Sequence, residues 1–86
     1  MAEYKIYFKR SAVKDLDAIP QKDLQRSINR IDLLKENPRP PGFEKLSGQE
    51  RYRVLQGNYR IVYFIQDNQL IIQVVKVRRR SAAYDK

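Results

Sequence analysis

Cysteine and histidine are both absent from the 86 residues, and the two absences remove much familiar catalytic chemistry. Without cysteine there are no disulfides and no thiol nucleophile. Without either residue the usual ligands of zinc, iron and copper are missing, so neither a metal nor another cofactor is expected. Histidine is also the usual acid–base group near neutral pH. Any catalysis must therefore use arginine, lysine, tyrosine or carboxylates. Long apolar runs are lacking too. The first ten residues, Met-Ala-Glu-Tyr-Lys-Ile-Tyr-Phe-Lys-Arg, interleave charge with apolar groups, unlike a secretory signal. No segment approaches the length of a membrane span. The expectation is a cytoplasmic protein with no membrane partner.

What is present is positive charge, unevenly spread. The length fits one domain, 1–86. A chain this size buries only roughly 60–65% of its unfolded surface, so its core is small and a bound partner would add stability. The net charge is +8. Residues 1–37 contribute +2 of it, and residues 38–50 are balanced. Residues 51–80 hold seven basic groups (Arg51, Arg53, Arg60, Lys76, Arg78, Arg79, Arg80) against Asp67 alone. Six of the seven are arginine, whose planar fork suits bidentate contact with phosphate. A polyanionic partner follows.

Residues 3–9 alternate, with Tyr4, Ile6 and Phe8 on one side and Lys5, Tyr7 and Lys9 on the other, which predicts a half-buried strand. Ser11 is placed to cap a short helix whose Val13, Leu16 and Ile19 share a face. Pro20 interrupts it. A longer helix follows, with Leu24, Ile28, Ile31 and Leu34 on one stripe, and Asn37-Pro38 closes it. Pro38-Arg39-Pro40-Pro41-Gly42 is a loop. Residues 52–56, 59–66 and 69–77 then read as three strands joined by tight turns at Gly57-Asn58 and Asp67-Asn68. The order is β-α-α-β-β-β. This is an α+β fold, with a helical hairpin on one face of a small, mainly antiparallel four-stranded sheet.

A two-residue loop at 57–58 pairs Gln56 with Tyr59, Leu55 with Arg60 and Arg53 with Val62. Arg51, Arg53, Leu55, Arg60, Val62 and Phe64 then share one face. Tyr52, Val54, Tyr59, Ile61, Tyr63 and Ile65 share the other, and Leu70, Ile72 and Val74 join them if the loop at 67–68 also has two residues. The aromatic and aliphatic face is the one to pack on helices. Val62, Phe64, Ile71 and Val75 remain uncovered on the arginine face, and exposed apolar groups of this kind mark a partner site. The cluster Arg78-Arg79-Arg80 lies just past the last strand, with Tyr84 close by, and can converge with Arg60.

At this point the chain resembles the RelE/ParE superfamily of bacterial type II toxins over nearly its whole length. The resemblance lies in the element order, the Leu46-x-Gly48 step, the run from Tyr52 to Tyr63 containing Gly57-Asn58-Tyr59-Arg60, and the ending Val77-x-x-Arg80-x-x-x-Tyr84. In the RelE-like branch it implies an endonuclease that cleaves messenger RNA on the ribosome without a metal and is neutralised by an antitoxin. By position, Arg53, Arg60, Arg80 and Tyr84 resemble the family's catalytic residues. Arg51, Lys76, Arg78 and Arg79 are the expected RNA contacts, and Val62, Phe64, Ile71 and Val75 the expected antitoxin contacts. Leu55 stands where a second basic residue is common, and Arg78 and Arg79 replace the usual Gly-His.

RNA brings its own nucleophile, the 2′-hydroxyl. The residues required are those that hold the phosphate, stabilise its developing charge and move protons. Arg60 and Arg80 suit the charge. Arginine stays protonated, with a pKa above about 12, so Tyr84 is the expected proton-transfer group once neighbouring cations lower its pKa. Three functions stay open on the residues alone: this nuclease, a poison of DNA gyrase as in the ParE branch, and a nucleic-acid-binding module without catalysis. In the last, the arginine cluster is only an electrostatic anchor and Tyr84 only packs on the sheet edge.

Overall fold

The computed structural model describes residues 3–46 and 51–80. Strand β1 (Lys5–Phe8) leads into helices α1 (Arg10–Asp17) and α2 (Gln21–Leu33). After the proline-rich loop come β2 (Glu44–Leu46), β3 (Arg51–Gln56), β4 (Tyr59–Gln66), a 3-10 turn (Asp67–Gln69) and β5 (Ile71–Arg79). The sheet runs β1-β5-β4-β3-β2, antiparallel except where β1 lies parallel to β5. The α+β architecture is as expected, but the sheet has five strands, not four. The additional strand, β2, is three residues long and too short to carry a readable alternation.

The β3–β4 pairing joins Gln56 to Tyr59, Leu55 to Arg60 and Arg53 to Val62, as the two-residue loop requires. Tyr52, Val54, Tyr59, Ile61, Tyr63 and Ile65 are buried against Ala12, Ile19, Ile31 and Leu34 of the helical layer. Ile72, Val74 and Val77 of β5 complete this core. The Tyr63 hydroxyl donates to the Pro38 carbonyl at 2.7 Å. Burial pushes that phenol up to about 12, so it stays a neutral donor that ties the proline loop to the sheet.

Three local expectations need correction. The β4–β5 connection spans residues 67–70 and not two residues: Gln66 pairs with Ile71, and Leu70 is left-handed at φ 55°. A bulge opposite Val62 and Tyr63 then inserts Val75 as an extra residue in β5, since Tyr63 pairs with Val74 and Val62 with Lys76. Ser11 is not the cap of α1. The cap position is Lys9, without a side-chain bond, and the Ser11 hydroxyl donates to the Val75 carbonyl at 2.8 Å. Finally, Ala12, not Val13, joins Leu16 and Ile19 on the packed side of the helix, and Val13 is exposed.

The last two corrections have one cause. β1 covers the edge of β5 only from Ile71 to Val74. Beyond that point α1 takes over: Ser11 satisfies Val75, and one helical turn later Asp15 accepts the Val77 amide at 3.0 Å and the Arg78 guanidinium at 3.1 Å. Side chains spaced i, i+4 lie on one helix face, and that face must meet the strand edge. Asp15→Ala is expected to cost about 1–3 kcal/mol, as an orphaned buried donor does. Amide hydrogen exchange at Val77 would speed up, whereas Asp17→Ala would leave it unchanged.

A second tie closes the opposite end. Asp67 accepts bonds from the Tyr4 hydroxyl at 2.7 Å and from both terminal nitrogens of Arg39 at 3.2 and 2.8 Å. Arg39 also lies over the Tyr52 ring, 5.1 Å from its centroid, and bonds its hydroxyl. The Arg39 guanidinium, and then the Tyr4 hydroxyl, hold the Asp67 carboxyl below the usual carboxylate range. Its stabilising contribution is therefore complete above that range and fades as pH falls through it. The group is open to solvent, so Asp67→Asn is expected to cost about 1 kcal/mol or less at neutral pH. Urea denaturation should show that difference vanishing in acid; a difference that persists there would contradict the ion pair as its source.

Candidate functional site

The face of the sheet away from the helices is ordered by register into rows. Leu55, Arg60 and Arg78 form one row across β3, β4 and β5. Glu44, Arg53, Val62 and Lys76 form the next. Leu46, Arg51, Phe64, Gln73 and Tyr7 form the third, and Gln66, Ile71 and Lys5 the fourth. Opposite residues in a ladder share a face. The pleat therefore gathers Lys5, Arg51, Arg53, Arg60, Lys76 and Arg78 on one side with Glu44 as the acid among them. Arg80 lies at the end of the first row's side, its amide donating to the Asn58 carbonyl at 2.8 Å across the β3–β4 hairpin tip.

Of the four residues proposed as catalytic, Arg53 and Arg60 stand in adjacent rows of one face, and Arg80 is anchored beside the same hairpin. Tyr84 lies outside the described residues, as does Gly48 of the Leu46-x-Gly48 step. Arg53 is ion-paired with Glu44 of β2. The Arg51 guanidinium lies 5.1 Å from the Phe64 ring centroid, and Lys76 is exposed. Arg78 reaches over the strand edge to Asp15. Arg79, opposite Tyr59 on the helix side of the sheet, lies 6.0 Å from that ring and so does not join the others. The Nε atoms of Arg51 and Arg53 are buried, with no hydrogen-bond partner among the described residues.

Val62 and Val75 are not uncovered: they are only 8% and 7% exposed. Val62 stands between Arg53 and Lys76 in its row, and long basic side chains lay their methylene stems along such neighbours. Val75 is at the bulge, where α1 meets the strand. Phe64 and Ile71 do present surface, and they line a groove with Tyr7, Ile65, Gln66 and Gln73. Sequence reasoning missed Glu44, because its strand was unread. It missed Tyr7, Gln66 and Gln73 because a carboxamide or phenol on a strand carries no signal of its own. Among the described residues no cluster of acidic side chains is fit to hold a metal ion, and no helix is long and apolar enough to cross a membrane.

Two helices on one face of a mixed sheet, with a basic opposite face, define the fold of the RelE-like type II toxins. The sequence profile described as ParE toxin of type II toxin–antitoxin system, parDE, matches residues 6–84, and the chain belongs to this family. Among its relatives is a candidate toxin RelE1 of Methanocaldococcus jannaschii, 30% identical over 95% of this chain and 96% of that protein. The chain is also similar to the archaeal RelE–RelB complex of Pyrococcus horikoshii, with TM-score 0.80 and 26% identity over 90% of this chain and 94% of the other. The RelB–RelE antitoxin–toxin complex of Methanococcus jannaschii gives TM-score 0.71 and 26% identity over 92% and 95%.

Removing the acid from the second row should strengthen the hold on a polyanion. Glu44→Gln is expected to tighten binding of single-stranded nucleic acid several-fold at low salt. The slope of log affinity against log salt should steepen by about 0.7, the increment of one more neutralised phosphate on a single strand. Fluorescence anisotropy over a salt series measures it, and an unaltered slope would mean that Arg53 takes no part in binding.

Proposed function

We propose that this toxin is a metal-independent endoribonuclease that cleaves messenger RNA held by the ribosome, and that a cognate antitoxin neutralises it in the cytoplasm. The reading is supported by Arg53 and Arg60, which stand in neighbouring rows of one face, and by the Arg80 main-chain amide, which bonds Asn58 at the tip of the same hairpin. A phosphate over these rows meets several guanidinium groups, with Glu44 as the one acid among the described residues there.

In the proposed reaction the 2′-oxygen attacks the adjacent phosphorus and the bond to the 5′-oxygen breaks. A 2′,3′-cyclic phosphate and a free 5′-hydroxyl result. Arg60 and Arg80 stabilise the charge on the non-bridging oxygens, and Arg53 positions the phosphate. The proton leaving the 2′-hydroxyl and the one gained by the 5′-oxygen pass through Tyr84. Arg51 and Lys76 hold flanking phosphates, and Arg78 and Arg79 add to the field at that pole. Leu55, 41% exposed in the row of Arg60, leaves the site one cation short of the family pattern, which a substrate already fixed by the ribosome would offset.

The relatives crystallised with RelB antitoxins support an antitoxin partner. Of the sheet residues proposed to meet it, only Phe64 and Ile71 offer surface, and an antitoxin reaching them would exclude RNA from the groove they line. Exposed Val13 and Leu33 on the helical layer provide a second apolar contact. A poison of DNA gyrase remains the second reading, favoured by the ParE description of the matching family.

One experiment separates these readings. Purified toxin is added to a translation extract and messenger ends are mapped, with a gyrase supercoiling assay alongside. Cuts at ribosome-held codons are expected. Arg60→Ala or Arg80→Ala should reduce them by roughly 10²–10³-fold, as removal of one charge-stabilising donor does. Tyr84→Phe should do so by roughly 10²–10⁴-fold. Inhibited supercoiling with intact messengers would transfer the assignment to gyrase. Neither effect would leave a binding module.

A further inference from the structure

The arginine rows end in a different kind of surface. At the far end of the same face a groove of about 380 Å³ is lined by Tyr7, Phe64, Ile65, Gln66, Ile71 and Gln73. One aromatic ring, Phe64, already has the Arg51 guanidinium over it. A second, Tyr7, is 51% exposed and presents its ring to the groove. Two carboxamides complete the lining, and among the described residues neither has a side-chain hydrogen-bonding partner.

We propose that this groove binds a nucleobase of the same RNA strand whose phosphates the arginine rows hold, a proposal that rests on the nuclease reading. The chemistry is that of a single-stranded nucleic-acid platform. A π-face and apolar walls give stacking, worth about 1–3 kcal/mol per base. A carboxamide offers a donor and an acceptor side by side, which is the pattern that pairs with base edges. Placement supports the same occupant. Phe64 is four residues along β4 from Arg60, or roughly 13 Å at the rise of a strand, so one extended strand can reach both. Charge complementarity favours RNA over an apolar protein segment here, because Arg51, Arg53 and Lys5 border the groove on this face. Asp67, next to Gln66, is already tied to Arg39 and Tyr4. The two ends divide the work: the arginines take the backbone without regard to sequence, and the groove reads a base beside the cut.

The test uses an uncleavable 2′-O-methyl trinucleotide and its counterpart lacking the bases, each titrated into the isotopically labelled full-length chain. The side-chain amide signals of Gln66 and Gln73 should move with the trinucleotide and not with the abasic strand, while the arginine Nε signals move with both. In the translation extract, Tyr7→Ala and Gln73→Ala should redistribute cuts among codons several-fold while cleavage persists. Arginine signals that move while both Gln amides stay still would overturn the base site and leave the nuclease standing. Absence of cleavage by the wild type, with the Gln amides still responding to the bases, would overturn the nuclease and leave the base site. An unaltered codon distribution in Tyr7→Ala, together with loss of neutralisation by co-expressed antitoxin, would overturn the proposal in favour of a protein occupant.

Discussion

Gly57 has φ +59°, a region that glycine enters at no steric cost, and it carries the two-residue turn that fixes how β3 meets β4. Positive φ at the first central position, with Asn58 on the ordinary side, fits a type II′ turn, whose twist matches that of the flanking strands. Because the side-chain period of a strand is two, this turn decides the fate of every residue in the hairpin at once. One more residue in the loop would reverse one strand against the other, turning either Tyr52 and Val54 or Ile61 and Tyr63 toward solvent and burying Arg51 and Arg53, or Arg60, under the helices. Burying unpaired guanidinium groups is far costlier than burying phenols that find acceptors. The hydrophobic core and the basic face are thus one event, and neither can form in the wrong register without destroying the other.

That coupling explains which parts of the molecule were legible before any coordinates. The run Tyr52 to Tyr63 alternates without interruption and has glycine where a tight turn requires it, so both its pairing and its two faces follow from the sequence. The second hairpin has similar turn chemistry in Asp67-Asn68, yet residues 67–70 form the connection. Here Asp67 is committed to Arg39 and Tyr4, partners 28 and 63 positions away. A tertiary ion pair overrides the local turn preference, and no window around Asp67 contains it. The bulge at Val75 is hidden for the same reason: an apolar residue looks alike whether it continues an alternation or interrupts it.

In α1 local propensity and tertiary structure disagree. Ser11 is the residue type that caps helices, and Val13 the type that packs, so local propensity favoured both assignments. The edge of β5 outweighed them. Past Val74 that edge has lost its neighbour β1 and exposes a carbonyl at Val75 and an amide at Val77. An unsatisfied main-chain group in a part-buried place costs more than a missing cap, so Ser11 and Asp15 turn to the sheet and Val13 is carried outward. The candidate site inherits the consequence. Asp15 also draws Arg78 over the edge, which separates it from Arg60 although the two stand opposite in register.

The placement of the acids governs what the basic face can bind. Six cations on one side of so small a sheet repel one another, and a net charge of +8 works against compactness. Neutralising all of them internally would remove the tension and also the attraction for a polyanion. Instead, three acids act at the periphery: Asp67 holds Arg39 at one end, Asp15 holds Arg78 at the β5 edge, and Glu44 holds Arg53 from β2. Each ties together elements that the backbone ladder alone would leave loosely joined, while the middle of the face keeps its positive field. A ligand that supplies negative charge relieves the repulsion that remains, as salt does in part, so binding adds to stability. A face built this way favours an occupant with repeated, regularly spaced charge. A nucleic-acid backbone meets that requirement more fully than a single acidic side chain does.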